Sequence, residues 1–299
     1  MMTARQHTTW QGELRHDEPM TKHTSWRVGG TADNYYRPID LEDLSLFLAE
    51  LADGEKLTWV GLGSNLLVRD GGIRGTVIST SGMLNNISLQ QENTLYVEAG
   101  VSCAKVARFA AKQNLTGAEF LAGIPGTMGG ALAMNAGAFG GETWDKVTQV
   151  TTISRDGKCT LRDPDEYQVS YRSVIGPTDE WFVATILKLE QGDVKVGQAK
   201  IKKLLSQRGA TQPTGQPSCG SVFRNPPNDH AARLIEQAGL KGLCIGGACV
   251  SEKHANFIIN TGTATAADIE RLIQKVAETV KQQHGIELHR EAHIIGEAK

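Results

Sequence analysis

Gly123-Ile124-Pro125-Gly126-Thr127-Met128-Gly129-Gly130-Ala131-Leu132-Ala133-Met134-Asn135-Ala136-Gly137 places five glycines in fifteen residues with no charged side chain. Glycine has no side chain to pack and loses the most backbone freedom on ordering, so such a run does not stabilise itself. What it supplies is bare backbone N–H groups that can approach a ligand, above all phosphate oxygens. Trp59-Val60-Gly61-Leu62-Gly63-Ser64-Asn65 repeats the theme after a strand-like run. Two such loops point to a long ligand with a diphosphate in its middle. Three further spots carry polar chemistry in constrained or apolar settings: Arg172 in Ser170-Tyr171-Arg172-Ser173, Ser221 in Cys219-Gly220-Ser221-Val222-Phe223-Arg224-Asn225-Pro226-Pro227, and Glu291 in Leu288-His289-Arg290-Glu291-Ala292-His293-Ile294-Ile295. An arginine offers a fork of donors for a carboxylate. A serine on a stiff turn offers a hydroxyl, and a carboxyl beside apolar residues can have a raised pKa and donate. Singly, Arg172 also reads as a solvated charge, Ser221 as a turn residue, Glu291 as a water-facing carboxylate and each glycine loop as a tight turn.

The elements that must position these groups follow from periodicity and punctuation. Thr24 to Thr31 reads as a turn around Gly29-Gly30. Asp40 caps a helix to about Leu51, with Leu41, Leu44, Leu48 and Leu51 on one face. Strands are expected over Lys56–Val60, Leu66–Arg69, Thr76–Thr80 and Leu95–Ala99. Ser102 caps a helix to about Gln113, with Val106, Phe109 and Ala110 inward. Val147–Ser154 and Trp181–Glu190 read as strands. After Gln191-Gly192-Asp193 the character changes: a basic helix covers Val194–Arg208, a proline-bearing loop follows, and helices span about Asp229–Ala238 and Ala266–His284, the last closed by Gly285. Ile286–Ile295 reads as a closing strand. The irregular alternation favours an α+β class over a regular doubly wound sheet. Boundaries near 70 and 191 give a polar extension over 1–20, lobes over 21–70 and 71–190, and a last domain over 191–299.

Composition narrows the classes. The 299 residues are 40% hydrophobic and 21% charged with net charge -2, ordinary for a globular protein and without the basic excess that nucleic acid demands. Met1–Met20 carries Arg5, Glu13, Arg15, Asp17 and Glu18 and no apolar h-region, so no secretory signal is expected. No run approaches the roughly eighteen apolar residues of a membrane span. The five cysteines are odd in number and lack CxxC spacing, which argues against a disulfide framework or a zinc site and for a reducing cytoplasm. Gly61-Leu62-Gly63-Ser64-Asn65-Leu66 lacks the third glycine of a dinucleotide fingerprint, and Thr80-Ser81 stand where an acidic residue would be required. GxxxxGK[ST], HExxH and GxSxG are absent.

The order GLGSN, GIPGTMGGALAMNAGAFG, SYRS, CGSVFRNP, KHANFIIN and REAHIIG resembles the UDP-N-acetylenolpyruvoylglucosamine reductases (UDP-N-acetylmuramate dehydrogenases) from about Thr24 to Gly296. The short stretch between Tyr171-Arg172 and Phe182 is similar to the family's shorter second type, without the insertion that carries a substrate tyrosine. His293 stands where the family has arginine. The resemblance implies a two-lobed FAD-binding domain of the vanillyl-alcohol-oxidase (PCMH) type plus a C-terminal α+β substrate-binding domain, with FAD between the lobes and held non-covalently. It implies that Gly61, Gly63, Ser64 and Asn65, with Gly126, Gly129 and Gly130, meet the diphosphate and ribityl region. Asn135, Ala136 and Gly137 would line the flavin side.

The chemistry so implied is reduction of the enolpyruvyl group of UDP-N-acetylglucosamine-enolpyruvate with NADPH as co-substrate. Hydride passes from flavin N5 to C3, and the negative charge arriving at C2 and the carboxylate calls for preorganised donors. The resemblance gives Arg172 the carboxylate, Glu291 a protonated or polarising role, and Ser221 the proton for C2. Asn225 and His254 fall in motif positions near the substrate. Arg208 is a candidate for the UDP diphosphate, whereas Lys202 and Lys203 read as a solvated helix face. A cytoplasmic bacterial monomer with no metal, nucleic-acid or membrane partner is expected. A flavin oxidase of the same fold would need a base instead of a proton donor, and a silent nucleotide-binding module would be indifferent to Ser221→Ala.

Overall fold

The computed structural model describes residues 9–91 and 93–299. Residues 1–8 of the expected polar extension lie outside that range. Its remainder includes a strand, Glu13–Pro19, that leads into the fully buried Met20. The described chain groups into two compact units, neither continuous in sequence. One comprises the chain up to Arg15, Tyr35–Gly61 and Thr76–Lys202; the other His16–Asn34, Leu62–Gly75 and Lys203–Lys299. A four-stranded sheet has the order Glu13–Pro19, Thr31–Arg37, Ile73–Ser79, Leu57–Val60, the last pair parallel.

In the first unit, a five-stranded antiparallel sheet runs in the order Cys159–Arg162, Val147–Ser154, Glu180–Lys188, Thr94–Glu98, Ile87–Leu89. Helix α1 (Leu41–Glu50) starts where Asp40 accepts the Asp43 N–H at 2.8 Å, as the N-cap preference of aspartate requires. Its Leu44, Phe47 and Leu48 pack with Tyr36, Ile78, Leu84, Ile153 and Val183. The Tyr36 and Phe47 rings stack at 3.6 Å, and the Tyr36 hydroxyl donates to the buried Asp43 carboxylate at 2.6 Å. Helix α2 (Cys103–Lys112) is capped by Ser102 and buries Val106 and Ala110; Phe109, expected inward, is only half-buried. Helix α3 (Met128–Ala133) is the short helix inside the glycine-rich run, and α4 is Val194–Thr211.

In the second unit, α5 (Ala231–Gln237) and α6 (Ala266–His284) pack with Trp26, Val28, Leu67, Val222, Phe223 and Leu288 in one core. Helix α6 carries a capping box between Thr265 and Asp268 and ends at Gly285 in the left-handed conformation, φ +69°. Asp70 accepts the Ala266 and Ala267 N–H groups at 3.0 Å each, a second acceptor at the same helix start. Trp26 is fully buried; its indole donates to the Ile258 carbonyl at 2.8 Å and its own carbonyl accepts from Asn260 at 2.8 Å.

Two expectations are corrected here. The closing strand is only His293–Ile295, parallel to Leu66–Val68, because 286–292 instead runs as irregular chain across the Ser221 loop. Cys244 and Cys249 form a disulfide, against the expectation of none. They face each other as register partners across a hairpin, a pairing that spacing in sequence does not reveal.

Candidate active site

In the first unit, the segment 134–144 is held by its own buried polar groups. Asn135 is buried at φ +42°; its Nδ2 donates to Glu142 Oε2 at 2.8 Å and to the Ser170 carbonyl at 3.3 Å, and its Oδ1 accepts the Trp144 N–H at 3.1 Å. The expected flavin-side residue is therefore a structural hub. The Ala136 carbonyl accepts from the Thr143 hydroxyl at 2.7 Å. Arg172 lies at the tip of a hairpin between Gln168–Ser170 and Ser173–Ile175, with Ser170 and Ser173 as register partners. Its φ is +55°, a conformation that costs a non-glycine residue about 1 kcal/mol or more. The guanidinium donates to the Asn135 carbonyl at 3.3 Å and the Gly137 carbonyl at 3.0 Å. Arg172, Asn135 and Gly137 are thus brought together. The hairpin aims the cation, and strain is tolerated where these carbonyls fix it.

The glycine loop itself divides its labour. Gly129 N–H donates to the Ala99 carbonyl at 2.9 Å, and a Cβ there would stand 2.9 Å from the Ala99 Cβ. Its amide is thereby committed, so Gly129 serves close packing. The Gly126 carbonyl accepts the Cys103 N–H at 2.9 Å. Around Gly130 the space is open, its nearest neighbour being Thr127 Oγ1 at 3.8 Å from a notional Cβ. Thr127 is 2% exposed, and its hydroxyl meets no partner among the described residues. A Cβ on Gly61 would overlap that hydroxyl. Gly61, Thr127 and Gly130 therefore form a bare cradle around an unsatisfied buried hydroxyl, which a ligand oxygen would satisfy. Thr127 stands inside the run singled out from sequence, but its hydroxyl was overlooked beside the glycines.

In the second unit, Ser221 follows Gly220, which adopts φ +82°. The two residues after Ser221 are clamped. Val222 N–H donates to the Asn256 carbonyl at 2.9 Å, Phe223 N–H to Asn256 Oδ1 at 3.0 Å, and Asn256 Nδ2 to the Phe223 carbonyl at 2.8 Å. On the other side, the Val222 carbonyl accepts the Glu291 N–H at 2.8 Å and the Ala292 N–H at 3.3 Å, while Arg224 N–H donates to the His289 carbonyl at 2.8 Å. Asn65 Nδ2 donates to the Glu291 carbonyl at 3.0 Å, and the Asn65 carbonyl accepts the His293 N–H at 3.0 Å. The segments that carry Ser221, Glu291 and Asn65, far apart in sequence, are thus tied together by main-chain bonds and the Asn65 side-chain amide. Burial, reinforced by the Glu291 charge, pushes the Cys219 thiol well above its ordinary value.

Gly63, at φ +60°, backs directly onto the His23 carbonyl, so any side chain there would clash; Ser64 is half-buried in the turn that follows. Asn225 is exposed, and its Oδ1 accepts the Ala231 N–H at 3.1 Å, which starts α5. His254 meets Phe257 edge-on at 4.8 Å, its Nδ1 has no partner among the described residues, and burial holds its pKa below the usual value. Arg208 donates to Gln212 at 2.9 Å and is partly desolvated, which lowers its pKa. Although the His293 side chain still reaches solvent, desolvation of its ring and the Arg224 and Arg290 charges keep it below its ordinary pKa. An imidazole with a lowered pKa therefore occupies the place where the resemblance implied an arginine. Asn256, missed in the sequence reading, lay within the KHANFIIN block; no residue pattern reveals that its side chain folds back on Phe223.

Comparison with known proteins bears on both units. Residues 212–295 match the family described as UDP-N-acetylenolpyruvoylglucosamine reductase, C-terminal domain, and residues 32–161 match an FAD binding domain family. The chain is 59% identical over 298 residues to the UDP-N-acetylenolpyruvoylglucosamine reductase of Alkalilimnicola ehrlichii, covering 100% of each. It is 60% identical over 287 residues to that of Nitrosococcus oceani, covering 96% of each. Among solved structures it is similar to UDP-N-acetylenolpyruvylglucosamine reductase from Thermus caldophilus, with TM-score 0.80, 31% identity, and 95% of this chain and 98% of that one covered.

Proposed function

The chain belongs to the UDP-N-acetylenolpyruvoylglucosamine reductase family, and from that membership we infer that it uses NADPH to reduce the enolpyruvyl ether of UDP-N-acetylglucosamine-enolpyruvate to the lactyl ether, giving UDP-N-acetylmuramate for peptidoglycan. It is an FAD oxidoreductase, and the bare cradle of Gly61, Thr127 and Gly130 fits the cofactor's oxygen-rich middle. FAD held there would supply the hydride-transfer chemistry that links NADPH to C3 of the enolpyruvyl group. Segments 21–70 and 71–190 serve the cofactor and 191–299 the sugar nucleotide, in a cytoplasmic, monomeric enzyme.

The remaining steps belong to this chain's own residues. Arg172 grips the substrate carboxylate with two parallel N–H donors and stabilises the charge that gathers there as C3 gains its hydride. Glu291 faces the same charge in its protonated form or polarises a neighbour. The Ser221 O–H bond breaks as the C2–H bond forms, and the resulting alkoxide regains a proton from water. A serine hydroxyl is a weak acid, but an enolate carrying a second negative charge is a strong enough base to take its proton. Asn225, His254 and Arg208 supply contacts to the nucleotide sugar.

One observation carries this reading: the Val222 carbonyl, next to Ser221, accepts the Glu291 N–H, so the main-chain segments that bear the hydroxyl and the carboxyl, far apart in sequence, are tied to each other. The test is anaerobic spectroscopy of the flavin-loaded protein. NADPH should bleach the flavin bands and UDP-N-acetylglucosamine-enolpyruvate should restore them. Bands that NADPH leaves unbleached would refute the reading in favour of an oxidase.

A further inference from the structure

The Ser221 hydroxyl must be positioned relative to C2 with a tolerance of about 0.5 Å, yet its own loop contains a left-handed glycine and no regular secondary structure. Something outside the loop must fix it. The strongest constraint on the two following residues comes from Asn256. It is 3% exposed, and its three hydrogen bonds take both polar groups of Phe223 and the N–H of Val222. Asn256 is itself immobilised, because it precedes Phe257 and the strand Ile258–Asn260 of the three-stranded sheet. The Val222 carbonyl left over by this clamp is the one that accepts Glu291 and Ala292. Asn256 therefore holds the donor loop to the sheet, its main-chain carbonyl on Val222 and its side-chain amide on both polar groups of Phe223, while Val222 in turn holds the carboxyl-bearing segment.

We propose that Asn256 is the positioning residue for Ser221: it touches neither substrate nor cofactor, and acts by holding Val222-Phe223 so that the Ser221 hydroxyl meets C2. The inference rests on the reading of Ser221 as proton donor. A carboxylate in place of the amide would keep an acceptor for Phe223 N–H but set an anionic oxygen against the Phe223 carbonyl, so the clamp needs the amide's two ends. Misplacement of a reacting group by about 1 Å costs on the order of 10²-fold in rate.

The test separates the two half-reactions in the flavin-loaded enzyme for Asn256→Ala, Asn256→Asp, Ser221→Ala and the Ser221→Ala/Asn256→Ala double variant. In the Asn256 variants, NADPH should bleach the flavin at the unaltered rate. Return of the bands with the sugar nucleotide should slow on the order of 10²-fold, with kcat falling and KM little changed. The double variant should be no slower than Ser221→Ala alone, because Asn256 acts through Ser221. Equal loss in both half-reactions would reveal a merely structural residue and overturn the proposal, as would additive losses in the double variant. Asn256→Asp supplies the readout if Asn256→Ala does not fold. Impaired Ser221→Ala with unimpaired Asn256 variants would overturn this inference alone. Unimpaired Ser221→Ala would overturn the proton-donor reading, and this one with it.

Discussion

The amide nitrogen of Glu291 donates to the carbonyl of Val222 at 2.8 Å, although 69 positions separate them in the chain. The residue after the expected proton donor is thereby tied to the expected carboxyl by a main-chain bond that substitution of either side chain leaves in place. The side chains of Ser221 and Glu291, for which the catalytic roles are proposed, can therefore be removed one at a time with little disturbance of this frame.

Ser221→Ala should accordingly leave flavin bleaching by NADPH intact and slow the return of the flavin bands by about 10²- to 10⁴-fold, the range for losing a general acid. Stopped-flow absorbance of each half-reaction measures this directly.

Arg172→Lys should lower kcat/KM by about 10- to 100-fold, because lysine keeps the charge but loses the planar fork, and hydrogen bonds to charged groups are worth about 1.5–3 kcal/mol. The same substitution removes the donors to the Asn135 and Gly137 carbonyls, so steady-state kinetics should be paired with a melting curve.

The arrangement behind these two predictions was unequally legible. The caps Asp40 and Ser102 and the stop at Gly285 stand where residue chemistry put them, because they depend on neighbours within one helical turn. Arg172, Ser221 and Glu291 were visible as residue types in known blocks. The bonds that orient them were not, since Val222–Glu291 and Asn256–Phe223 join segments whose proximity only the tertiary fold creates. The same limit hid the Cys244–Cys249 pairing and made Ile286–Ala292 read as strand, its apolar residues being used against the second unit's core instead of in a ladder.

Asp70→Ala should destabilise the protein by about 1–2 kcal/mol, as loss of a helix cap does. Its carboxylate takes two N–H groups at the start of α6, and the Thr265–Asp268 box leaves these two unserved. Thermal melting should fall by a few degrees at most, since the shift is about 2–4 °C per kcal/mol for 150–250 residues and shrinks with chain length.

His254 gives a pH dependence of definite sign. Burial holds its folded pKa below the ordinary 6.5, with Lys241 pushing the same way and Glu236 opposing. Below pH 6.5 the unfolded chain binds the extra proton first, so this group's contribution to stability is present above that pH and is lost as pH falls towards the folded value. Melting curves between roughly pH 7 and pH 5 should slope less steeply in His254→Gln than in the parent. His293, shifted in the same direction, should account for part of the slope that remains.

Thiol labelling checks the disulfide. Alkylation of the denatured, unreduced protein should modify Cys103, Cys159 and Cys219 only, and prior reduction should add Cys244 and Cys249.

The second unit draws Trp26 and Val28 from near the start of the chain, Leu67 from a later excursion, and the rest of its core from beyond Lys203. On the ribosome, the indole of Trp26 must wait for Ile258, and its carbonyl for Asn260, to emerge some 230 residues of synthesis later. That unit cannot close vectorially, and its earliest strands leave the exit tunnel as orphans needing protection until translation ends. A fragment cut to residues 212–295 would retain the family's C-terminal signature but lack the indole and leucine that fill its own interior.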